Sequence, residues 1–314
     1  MARLLCDLPL ELLLDSLSRI EYTPGCLGAL RPVCREFNKL LHRYEHSLAV
    51  EIIRLQFPPG ILAKHPGLNG SNTGIGFRTV DELYIRMQTL FRLERNCHSI
   101  RRREGKEAAW MRYEWIGLQQ TGMHLLYRLY DAGKCSSQTS QDISSHFLLG
   151  NHEDKACTIR SLPPTSLAIL LLTLHLCIHQ LRADGPSLLI PTSPLLHGML
   201  RFEVEICCQE LILQHGPRFL DALLCHCPHA IERLETEVRG IEARQLPSDG
   251  KPSQKTLIAE CRCALASTLG TSTEDNRTDM WMVLERIGTL DEADVVKVIN
   301  GEELRKRQDS GVGL

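Results

Sequence analysis

The sequence has no surplus of charge of either sign. Its 314 residues carry 36 Lys and Arg against 38 Asp and Glu, a formal net charge of −2. That balance argues against a protein that holds nucleic acid or a membrane surface through bulk charge. Long apolar runs are also lacking. The strongest, Leu167 to Leu181, is interrupted by Thr173, His175, His179 and Gln180. It is too short and too polar for a bilayer span, so a buried helix is expected there and no membrane partner. Met1-Ala2-Arg3 runs into Asp7, Pro9 and Glu11 before a secretory signal develops. A chain in the cytoplasm or nucleus is therefore expected, with the N-x-S/T matches at Asn69 and Asn276 never glycosylated.

Alternation of period two is scarce, which argues against a sheet. No fixed-period repeat is visible: there is no L-x-x-L-x-L-x-x-N series and no Trp-Asp dipeptide. Catalytic arrangements are missing as well. Gly67, Gly70, Gly74 and Gly76 are not followed by G-K-[ST], so they make no phosphate loop. No Ser/His/Asp or Cys/His spacing stands out. Neither an enzyme nor a cofactor is expected.

What is present is spacing of the i, i+3, i+4, i+7 kind, recurring almost from end to end, and it predicts an all-α protein. Pro9 to Ile20 reads as a helix with Pro in its first turn, followed by a turn at Tyr22-Thr23-Pro24-Gly25. Pro32 is expected to open a helix with Val33, Phe37, Leu40, Leu41 and Tyr44 on one stripe. Helix continues to Pro58-Pro59, and residues 58–77, rich in Gly, Pro and Asn, read as a long loop. A helix from about Thr79 carries Leu83, Met87, Leu90 and Phe91. Another, from about Lys106, carries Met111, Trp115, Leu118, Gly122, Leu125 and Leu129, and polar Cys135 to Gln141 ends it. Pro163-Pro164 opens the apolar helix. Pro191 to His215 is expected to align Leu200, Val204, Cys207 and Leu211. Phe219 to Ile241 is expected to be kinked or divided at Pro228. Residues 245–254 form a polar linker. Shorter helices follow near Leu257 to Leu269, Met280 to Ile287 and Asp291 to Arg307, with a tail at 308–314.

Thirteen cysteines in a chain without a secretory signal read as reduced thiols, most of them buried. Cys225-His226-Cys227-Pro228-His229 invites a zinc reading. Its C-x-C spacing on an expected helix points the two thiols apart, however, and no metal is expected. Cys261 and Cys263 share the defect. His175 and His179 stand one helical turn apart, but Leu176 occupies the place of the Glu in H-E-x-x-H. Arg101, Arg102 and Arg103, with Arg92, Arg95 and Lys106, form the one strong basic cluster. It reads as a solvated helix face, with a nuclear-import signal, an acidic-degron contact or a phosphate contact as the alternatives.

The N-terminus is more specific. Leu5, Leu8-Pro9, Glu11-Leu12-Leu13, Leu17, Ile20, Leu27, Leu30, Val33-Cys34-Arg35, Phe37 and Leu40 stand in that order. The segment resembles the F-box, whose pattern runs L-x-x-L-P-x-E-L-L, a turn, leucines, and then V-C-[KR]-x-[FW]-x-x-L. Cys26 stands where the family often has Asp, and Pro32 where it often has Leu or Ser. A generic amphipathic helix explains the leucines but not the pairing of the two motifs. The resemblance implies a three-helix F-box over residues 1–50 that binds a Skp-type adaptor. Leu8, Pro9, Leu12, Leu13, Leu17, Val33, Cys34 and Phe37 would then lie in or beside the interface. Through the adaptor it implies cullin and RING subunits, and a protein client held by a larger irregular α-helical region. That region would span 79–307, separable from the F-box across 51–78. Its helices, from Leu83 to Asp131 and again from Gly216 to Leu224, resemble the tails of F-box proteins of filamentous fungi, a likeness that names no client. Two other readings remain: adaptor binding outside a ligase, and a helical metal-binding protein whose N-terminus only mimics the F-box.

Overall fold

In a computed structural model, residues 9–69, 74–104, 113–134, 152–186, 201–244, 255–287 and 289–304 are described. Among them the fold is all-α, fifteen helices with no strand. The chain divides into two compact units, 1–91 and 92–314.

The first unit is built from α1 (Leu10–Arg19), α2 (Cys26–Leu30), α3 (Arg35–Arg43), α4 (Glu45–Gln56), α5 (Pro66–Asn69) and the first part of α6 (Phe77–Glu104). Its core gathers Leu13, Leu17, Leu27, Phe37, Leu41, Leu48 and Ile52 with Val80 and Leu83 of α6. Burying such side chains contributes about 1.5–3 kcal/mol each. Three short helices cannot supply enough of them alone, and here α4 and α6 complete the set. Gly25 takes φ +79 ahead of α2, a left-handed backbone that a residue with a Cβ enters at a cost.

Several expected boundaries move. Pro9 is not in the first turn but caps α1, its carbonyl accepting from Leu13 N at 3.1 Å. Pro32 does not open α3. Cys34 caps that helix instead, so Pro32 and Val33 lie in the preceding turn and Val33 leaves the expected stripe. The described part of 58–77 is not a spacer: Ile61 and His65 are buried, and His65 lies 3.3 Å from the Arg86 guanidinium. The division falls at Phe91 rather than near residue 79, because Val80 and Leu83 belong to the first core. Phe91, expected on the packed stripe of α6, is instead 60% exposed.

The second unit contains α7 (Tyr113–Ala132), α8 (His152–Arg160), α9 (Pro164–Asp184), α10 (Arg201–His215) and α11 (Pro217–Leu224), followed by α12 (Pro228–Arg244), α13 (Leu257–Leu269), α14 (Asn276–Ile287) and α15 (Glu292–Asn300). Helix α9 is the axis of this unit. It is long and apolar enough to cross a membrane, yet Leu167 to Leu174 are all buried against protein, with α7, α14 and α13 packed on it. Gly122 of α7 permits the closest approach: a Cβ there would stand 1.8 Å from Thr173 Oγ1 of α9. Buried Gln119 and Gln180 pair across α7 and α9: Gln119 Nε2 donates to Gln180 Oε1 at 3.3 Å, and Gln180 also meets the Cys97 thiol. Burial pushes that thiol up to about 12, so it stays protonated. The expected division at Pro228 is present, as a turn at Cys225–Cys227 with His226 at φ +52. The last expected helix is shorter, ending at Asn300. The linker at 245–254, the tail at 308–314 and residues 135–141 lie outside the described residues.

Candidate functional site

The eight residues singled out at the N-terminus fall into distinct environments. Leu8 lies outside the described residues. On α1, Leu13 and Leu17 are one turn apart and therefore share a face. They are 7% and 4% exposed, turned into the unit's own core. Leu12, one residue round the helix, is 56% exposed. Pro9 is exposed at the helix entry. Val33 is 53% exposed, in the turn before α3. Half-buried Cys34 caps α3, its sulfur accepting from Phe37 N at 3.4 Å, which directs Phe37 into the core. Leu13, Leu17 and Phe37 therefore build the unit rather than its surface, and the expectation that they contact a partner is revised. Pro9, Leu12 and Val33 are each left exposed, and Cys34, beside Val33, is half-buried.

Their exposure is part of a wider pattern. Of the nine large exposed hydrophobics among the described residues, eight lie in the first unit, Phe202 being the exception. Exposed apolar side chains scattered singly are ordinary, and only a contiguous patch of them would point to a binding surface.

Sequence reasoning missed the residues that hold α1 in place. The Gln56 side chain, at the end of α4, accepts from Tyr22 N at 2.8 Å and donates to Ser18 O and Ile20 O, both at 2.8 Å. It ties off the open carbonyls where α1 stops. The Tyr22 hydroxyl donates to Asp81 Oδ1 at 2.7 Å, and Gly25 N donates to the same oxygen at 3.1 Å. Burial first, and the Asp81 carboxylate second, push the Tyr22 phenol far above its usual range. Glu45 accepts from Phe77 N at 3.1 Å and from Arg31 at 3.3 Å. These partners are 14 to 59 positions apart, so no local motif announces them.

The other clusters resolve differently. Arg92 is engaged by Asp221 through bonds of 2.5 to 3.1 Å, and hydrogen bonding to that carboxylate holds its guanidinium above the ordinary value. Arg103 is paired with Asp184. Part of the basic cluster is thus already neutralised, which weakens its reading as a phosphate contact. Lys106 lies outside the described residues. Cys225, His226 and Cys227 sit on a turn, not on a helix as expected, yet no group of three or more metal-ligating side chains forms among the described residues. The eleven cysteines described are free thiols. Burial raises those of Cys177, Cys207, Cys208 and Cys261 above the usual thiol range. His175 and His179 bring their Nε2 atoms to 3.2 Å, with the two rings inclined at 76°.

Comparison with family models, with curated proteins and with solved structures finds no match for this chain.

Proposed function

We propose that the protein is a substrate-recruiting F-box subunit of an SCF-type cullin-RING ubiquitin ligase. The N-terminal unit binds the Skp adaptor, the helical second unit holds a protein client, and the chain performs no catalysis itself. One observation carries the reading. The described residues of the two motifs stand at the start of α1 and across the turn into α3, where Leu13, with Leu17 one turn on, and Phe37 are buried while Leu12 and Val33 are more than half exposed. Burying two or three such side chains at about 1.5–3 kcal/mol each helps offset the cost of association.

The test is co-purification from cells with the adaptor and the cullin scored separately. Recovery of both, lost together in the Leu12→Asp, Val33→Asp double variant, supports the ligase reading. Recovery of the adaptor without cullin favours the second reading, an adaptor-bound factor acting outside a ligase. Absence of the adaptor from the native protein's complexes contradicts both.

A further inference from the structure

His175 and His179 project from α9 one turn apart. Their Nε2 atoms are 3.2 Å apart, but their ring centres are only 4.7 Å apart. Two imidazoles meeting head-on would hold their ring centres farther apart, by most of a ring's width beyond the nitrogen separation. These rings lean instead, at 76° to one another. Both are rooted on the same helix face, so an ion bridging the two Nε2 atoms would sit off that face. The spacing suits an ion. Nitrogens bound at about 2.0–2.1 Å lie about 3.3–3.4 Å apart on a tetrahedral centre and about 2.8–3.0 Å apart on an octahedral one. Both rings are only half-buried, which leaves room for water to complete a coordination shell.

We propose that His175 and His179 form a two-imidazole clip for a first-row transition-metal ion of the kind imidazole favours, such as Ni²⁺ or Zn²⁺. Water fills the remaining positions, and the site is independent of the adaptor-binding reading. In the metal-free chain one Nε2 carries the proton shared between the rings. On binding, both rings coordinate through Nε2 with their protons on Nδ1, and any further proton leaves to solvent. Burial, Arg277 of α14 and Arg182 of α9 all hold His175 below the ordinary imidazole value, while Glu205 of α10 acts the other way. The two arginines also oppose a cation, and Glu205, paired to Arg182 at 2.6 Å, offsets one of them. A weak, exchangeable site follows, not a structural one.

The test is calorimetric titration of the full chain with Ni²⁺ after its accessible thiols are alkylated. One equivalent should bind, and His175→Gln and His179→Gln should each abolish it. Saturable binding that survives both substitutions, or no binding, overturns the proposal. A second measurement needs no variant. Diethyl pyrocarbonate should modify His175 and His179 at least several-fold more slowly in saturating Ni²⁺, as read by peptide mass. Equal rates with and without the ion overturn it.

Discussion

Leu12 and Leu13 are neighbours on α1, one 56% exposed and the other 7%, and their substitutions should separate binding from folding. Leu13→Ala removes buried methyl groups and leaves a cavity, at a cost of about 2–5 kcal/mol. A lowered unfolding midpoint in urea would register it. Leu12→Asp should change the stability by no more than about 0.5 kcal/mol while removing adaptor binding. A different residue sets the response to acid. His215 is held down to about 4, by burial first and by Lys155 and Arg233 after it. The unfolded chain, with an ordinary imidazole near 6.5, takes up its proton first. Stability is therefore full above about 6.5 and falls as pH drops toward about 4. Lys155 is lowered to about 8 by burial, so the unfolded state holds its proton longer and stability should rise between about 8 and 10.5. Thermal unfolding across pH checks both: His215→Gln should flatten the acid limb and Lys155→Met the alkaline one. Unchanged slopes in these variants would contradict the assignment.

Between elements, two contacts make sharper predictions. A side chain at Gly122 would collide with Thr173 rather than meet open space. Gly122→Ala should therefore cost about 1–3 kcal/mol by overpacking, despite alanine's better helix propensity. Calorimetric unfolding would show it, and a stabilised variant would mean that α7 and α9 are spaced more widely. Gln56→Ala should cost about 1–3 kcal/mol by leaving Ser18 O, Ile20 O and Tyr22 N without their partner. It should also accelerate amide exchange at the end of α1. Much of the helical architecture was legible, since the periodicity that marks Leu118, Leu125 and Leu129 is also the packing face of α7. Boundaries were less so. Cys34 is an uncommon cap whose thiol replaces the usual hydroxyl or carboxylate, which is why Pro32 was read as the start of α3. The roles of Gln56 and Asp81 depend on chain segments brought together only by folding, and no spacing rule reaches them.

For the whole molecule, the division at Phe91 changes what can be removed. Residues 1–56 contribute Leu13, Leu17, Leu27, Phe37, Leu41, Leu48 and Ile52 to a core shared with Val80 and Leu83. A chain beginning after residue 56 should leave that part of α6 stripped of its cover and prone to aggregate, which light scattering would detect. A soluble, fully cooperative product would instead favour an independent region beginning near residue 79. The central claim concerns the surface that the first unit leaves open. Its most direct test is calorimetric binding of a purified Skp-type adaptor to the full chain and to its Leu12→Asp, Val33→Asp double variant, with circular dichroism of both. A one-to-one complex with the native chain, lost in a variant of unchanged helicity, is the predicted result. No binding by the native chain, or equal binding by the two, would contradict the account.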